Sequence, residues 1–167
     1  MPNTEHLSIF NKGVDYWNEW RIDNPEKAPD LSWSSLPGLD LTGINLENSN
    51  LKLAFCRGCK FINANLKNVT LFGANLESCA FSHSDMSNAD LEGALLKNAT
   101  ISNSRLTDCN FRLANLEGVV FENSDIIGVK KLKYNQLSLV KSIINSSMDA
   151  QLREKIIELK PFILDGS

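Results

Sequence analysis

Ala64-Asn65-Leu66-Lys67-Asn68, Val69-Thr70-Leu71-Phe72-Gly73 and Ala74-Asn75-Leu76-Glu77-Ser78 are three successive turns of one five-residue rule. A small apolar residue opens each quintet, a large one stands at its centre, and a polar or turn-forming residue closes it. Followed outward in steps of five, the central position runs from Leu31 to Ile126. Of those 20 positions, 19 carry a large apolar side chain and the other is Cys56. A helix repeats every 3.6 residues and a half-buried strand every 2, so neither accounts for this period. The frame never slips, and no loop is inserted between residues 31 and 128.

The opening position is small almost throughout, as in Ala54, Cys59, Ala64, Ala74, Cys79, Ser84, Ala89, Ala94, Ala99, Ser104, Cys109 and Ala114. Between it and the large residue, Asn or Asp recurs, as in Asn45, Asn65, Asp85 and Asp125. Two residues past the large position, Gly and Asn are favoured, and these tolerate left-handed turns. Each quintet therefore reads as one short side and a corner, with a large and a small group directed inward.

These quintets, together with Ala89-Asp90-Leu91-Glu92-Gly93, resemble the motif of the pentapeptide-repeat family. The resemblance covers residues 31–128 and implies an all-β solenoid. Its form would be a right-handed four-sided β-helix with four quintets to a coil, hence about five coils. An internal check supports a coil of 20 residues, in which positions 20 apart stack at about 4.8 Å. One inward column then collects Leu41, Phe61, Phe81, Ile101 and Phe121. An outward column reads Pro37, Arg57, Glu77, Lys97, Glu117, alternating in sign, and Glu47 over Lys67 and Glu92 over Arg112 add further favourable pairs. Asn48, Asn68, Asn88 and Asp108 form a column suited to a side-chain ladder.

The ends divide the chain into a leader, 1–30, the solenoid, 31–128, and a tail, 129–167. Open sheet edges need covering. Residues 4–23 place Leu7, Phe10, Val14 and Trp17 on one helical stripe, with Tyr16 and Trp20 beside it, and Asn24-Pro25 to stop it. This predicts an N-terminal helical cap. Lys131 stands where the next large residue is due. Beyond it, Leu137, Val140, Ile143 and Ile144 mark one helix and Leu152, Ile156 and Leu159 another, ending near Pro161. These predict C-terminal helices that cap the solenoid or join two chains.

The chain has 167 residues, 17 basic and 20 acidic side chains, and a net charge of −3. That balance gives no reason to expect nucleic acid, and no run of 18 apolar residues suggests a membrane partner. The start, Met1 to His6, shows no basic segment leading into an apolar one, so a cytoplasmic location is the expectation. Cys56-Arg57-Gly58-Cys59 has redox and zinc spacing, but both thiols, like Cys79 and Cys109, fall at inward positions. Buried packing is the expected role. His6 and His83 have no catalytic neighbour, and neither a phosphate loop nor a nucleophile elbow is present. No catalytic residue, cofactor or metal is expected, and Lys130-Lys131-Leu132-Lys133 is too small a cluster for a phosphate-binding site.

The expected function is a non-enzymatic scaffold binding a protein partner or a second copy of the chain. Family resemblance implies an alternative, mimicry of DNA to protect gyrase from quinolones. Five coils span about 24 Å, over which duplex DNA carries on the order of 14 negative charges. Residues 31–128 hold 10 acidic and 7 basic side chains, a net of −3, with the signs interleaved. Apolar groups at outward positions are the more distinctive feature. Trp33, Leu53, Phe55, Phe72, Leu95 and Leu113 converge on the corner between the first and second sides. Either this is an interaction surface, or a terminal segment such as Phe162-Ile163-Leu164 folds over it.

Overall fold

Every fifth residue from Trp33 to Gly128 has a left-handed backbone, and these 20 corners bend the chain into a square coil. Seven are Gly and seven are Asn, the residues to which that geometry costs least. The computed structural model describes residues 1–164. Parallel bridges join residues 20 apart, from Asp30 with Asn50 up to Asn110 with Lys130. On the third side they lengthen into strands β1 (Ala80–Ser82), β2 (Thr100–Ser102) and β3 (Val120–Glu122), with Ala80 opposite Thr100 and Phe81 opposite Ile101.

The large position is buried at all 20 steps, and the column of third-side residues stacks as the period requires. Phe61 and Phe81 lie face to face, 5.1 Å apart and within 5° of parallel. Burying such rings and leucines contributes about 1.5–3 kcal/mol each, which makes the filled interior the principal source of stability. The sign-alternating column also forms, with Arg57 3.7 Å from Glu77 and Lys97 2.8 Å from Glu117. Arg112 pairs with Glu92. Lys67 departs from expectation and reaches across the stack to Asp85 at 3.4 Å, while Glu47 accepts from Asn65 Nδ2. Asn68 Nδ2 donates to Asn48 Oδ1 at 3.0 Å, as the amide column predicts.

The leader is two helices, α1 (Thr4–Phe10) and α2 (Val14–Asp23), instead of one. Gly13, at φ 100°, breaks the run and serves as the N-cap of α2. The predicted stripe survives the break: Phe10 and Trp17 are buried, with Leu7 and Val14 packed beside them. Side chains of α2 hydrogen-bond the open edge of the first coil. Trp17 Nε1 donates to the Asn45 carbonyl at 2.7 Å, Asn18 pairs with both Gly43 and Asn45, and Arg21 donates to the Glu47 carbonyl.

The tail corrects the sequence reading more substantially. Only the short helix α3 (Tyr134–Leu137) stands in the first predicted helical segment. Ser142–Ile144 is instead a strand, β4, parallel to β3, with Ile143 opposite Phe121. Its offset is 22 residues instead of 20, so two extra residues enter around α3 and the coil then resumes as far as Ser147, bridged to Asp125. Gln136 of α3 is buried and donates to the carbonyls of Phe111 and Ala114. Helix α4 (Ala150–Leu159) follows as predicted, burying Leu152 and Ile156, and a 3-10 turn spans Pro161–Leu164.

Candidate interaction surface

The six apolar candidates share one corner of the solenoid, in two ranks. Trp33, Leu53 and Leu113 occupy the left-handed corner position itself, at φ 63°, 56° and 58°. Phe55 and Leu95 stand just past the corner, within the bridges to Asn75 and Asn115, and Phe72 just before it. Trp33 is 60% exposed and Leu113 is 63% exposed. Leu53 is less open than its outward position implies, because its side chain lies across Gly73. A Cβ on Gly73 would stand 2.6 Å from Leu53 Cδ2, so the glycine makes the room that leucine uses. Gly93, one coil further, meets only the backbone of Gly73 and leaves a notch between Leu53 and Leu113.

Bulky side chains seldom adopt this backbone, which costs roughly 1–2 kcal/mol per residue. Of the 20 left-handed corners from Trp33 to Gly128, only three carry a large apolar side chain, and all three lie on this edge. Lys52 Nζ sits 5.1 Å from the centre of the Phe72 ring, at the rim. Among the described residues, Phe162 and Ile163 do not fold over the corner, and Asn135 and Leu139 line a cleft beside Leu113 without burying it. Ile163 is buried beside β4, and Phe162 borders a cleft with Val120, Lys141 and Ile144 on the third side.

A second surface feature escaped the sequence reading. At the corner after the third side, Ser84, Ser104 and Ser124 occupy the small position in successive coils. Ser104 Oγ accepts from the Ser84 amide at 3.1 Å and donates to the Phe81 carbonyl at 2.9 Å, and Ser124 repeats the pattern one coil on. These serine bonds take the place of the tight turn bond made at corners such as Leu51–Ala54. The corner opens into a polar groove of about 480 Å³ lined by residues including His83, Asp85, Asn103, Arg105 and Asn123. Asp85 is held below the usual carboxylate range. Burial opposes this, but hydrogen bonds from Ser87 and the charges of Lys67 and Arg105 outweigh it. The signal was present as serine at 84, 104 and 124, a spacing of 20 that a pentad-by-pentad reading passes over.

The four thiols are buried and unpaired. Cys59, Cys79 and Cys109 donate to the carbonyls of Leu36, Cys56 and Met86 at 2.8 to 3.0 Å, the role Ser104 plays at its corner. Burial pushes the Cys79 and Cys109 thiols up to about 12. Cys56 is also raised well above its ordinary value, by the bond to Cys59 and by burial. Among the described residues, no cluster of three His, Cys, Asp or Glu is arranged to hold a metal, and no helix is long and apolar enough to cross a membrane.

A chain that climbs one coil every 20 residues around a filled square interior is a pentapeptide β-solenoid. Residues 54–130 match the family model described as a pentapeptide repeat region. Among solved structures, the chain is similar to a pentapeptide repeat protein from Nostoc PCC 7120, at 21% identity over 71% of this chain and 99% of that one, with a TM-score of 0.52. A pentapeptide repeat protein from the cyanobacterium Cyanothece 51142 gives 20% identity over 80% and 94%, with a TM-score of 0.46. QnrB1, a plasmid-mediated fluoroquinolone resistance protein, gives 16% identity over 75% and 84%, with a TM-score of 0.39. At that score the superposition is too loose for its role to bear on this chain. A comparison with curated proteins finds no match.

Proposed function

We propose that this chain is a non-enzymatic, cytoplasmic interaction scaffold whose contact surface is the apolar corner from Trp33 to Leu113. The observation that carries this is the backbone at that corner. Three large apolar side chains are held at left-handed positions of the kind that Gly or Asn fills at 14 of the other 17 corners. Such strain persists where a surface is kept for contact, and it is concentrated on a single edge. Four unpaired cysteines fit a reducing compartment. The helices at both ends serve as covers, blocking the solenoid edges and leaving its sides for binding.

DNA mimicry draws less support. Six of the seven basic residues in 31–128 are ion-paired along the walls, so acidic groups are neutralised where a mimic would display them. A supercoiling assay with purified gyrase and a quinolone is expected to show no protection. The scaffold reading is tested with a photo-crosslinking amino acid placed at Leu95 or, on the polar corner, at Asn103. Protein adducts at position 95 well above those at 103 are expected. Equal yields at the two positions contradict the reading.

A further inference from the structure

The apolar corner has a symmetry that selects its occupant. Its columns, read up the stack, are complementary to themselves read downward, with the third coil at the centre. In the column before the corner, the order is Ser32, Lys52, Phe72, Glu92, Arg112. Laid antiparallel on a copy of itself, Phe72 meets Phe72 and Lys52 meets Glu92, twice. In the corner column, Leu53 stands opposite Gly93 of the copy, a position with no side chain of its own and none within 4 Å. In the column after it, Phe55 meets Leu95.

We infer that the occupant of this corner is a second copy of the chain, docked antiparallel about a two-fold axis that crosses the edge at Phe72. The inference rests on the reading of the corner as an interaction surface and adds the identity of the partner. A two-fold contact requires that residue i meet j and j meet i, and these columns satisfy it. Charge supplies the second argument. Of the seven cations in residues 31–128, Lys52 alone makes no salt bridge among the described residues, and its ammonium rests over Phe72 beside the axis. The copy brings Glu92 to it. The bridging column Asp30, Asn50, Thr70, Asp90, Asn110 also pairs without opposing like charges. Beyond the corner, Arg57 would face Lys97 of the copy, so contact ends before that column. A strip this narrow falls at the low end of specific interfaces, below about 1,200 Å² in total, which sets a weak, concentration-dependent dimer.

Sedimentation equilibrium on the full chain, from about 1 to 500 µM, spans the affinities such an interface gives. A reversible dimer is expected, weakened at least tenfold by Lys52→Glu and recovered by Lys52→Glu combined with Glu92→Lys. Glu92 also pairs with Arg112 in its own chain, so a second variant is read independently. Phe72→Cys places a thiol on the axis. Under diamide, which accepts the two electrons and two protons released, it is expected to form a disulfide-linked dimer. Asn103→Cys is not, and the four native thiols are buried. A chain that stays monomeric throughout overturns the inference, as does a dimer indifferent to Lys52→Glu that fails to link through position 72. If the chain is monomeric yet position 95 still gives protein adducts, the two-fold partner is overturned and the interaction surface stands. If neither appears, both fall.

Discussion

Left-handed corners at Trp33, Leu53 and Leu113 show how much a single residue's backbone says about its role. The five-residue frame makes those positions legible in the sequence, and with them the outward direction of the side chains. Their convergence on one corner is legible in the same way, whereas the strain shows only in the φ angles. The thiols were legible too. Each fills a position that Ala or Leu fills elsewhere, although the carbonyl that each bonds depends on the coil beneath. Their chemistry gives a signed prediction. The ordinary thiol value of 9.0 is raised to about 12 at Cys79 and Cys109, so folding favours the neutral form. The resulting stability is complete below pH 9.0 and is lost as pH rises toward 12. Urea midpoints are expected to be flat from pH 7 to about 8.5 and to fall above that. No thiol should react with a disulfide reagent at pH 8 until denaturant is added. Rapid labelling of the native chain contradicts this burial.

At the scale of elements, the repeats gave up their structure readily and the ends did not. A frame of 20 unbroken steps over-determines the interior, whereas Gly13 could be tolerated in a helix or break one, and only packing on the first coil decides. The tail departs from its helical pattern for a related reason. Ile143 and Ile144 have helical spacing from Leu137 and Val140, but β-branched side chains suit a strand, and an exposed β3 edge was waiting for one. The insertion of two residues hid the continuing period. Serines give a paired test of the corner argument. Ser104 Oγ serves both the Ser84 amide and the Phe81 carbonyl, so Ser104→Ala leaves buried groups unpaired and costs about 1–3 kcal/mol. Ser49 also fills a buried small position, but its hydroxyl has no partner. Ser49→Ala is expected to be neutral or stabilising, by up to about 1 kcal/mol. Urea denaturation of the two variants decides, and equal losses would contradict the distinction.

The whole molecule is a column whose interior is committed to packing and whose sides are free to vary. That division explains why the fold could be read with few ambiguities while the partner could not: stacking constrains inward groups and leaves outward ones to function. It also explains why the informative departures are on the surface, in a strained apolar edge and a serine-lined groove. On this reading the apolar edge gives up stability to keep a contact surface. Leu113→Asn tests it, since Asn accepts the left-handed corner that leucine strains to occupy. Measured on dilute protein, where any dimer is dissociated, the variant is predicted to melt about 3 °C higher, corresponding to about 1 kcal/mol. Adducts at position 95 should fall in the same variant. A lower melting temperature with adducts undiminished would contradict the account.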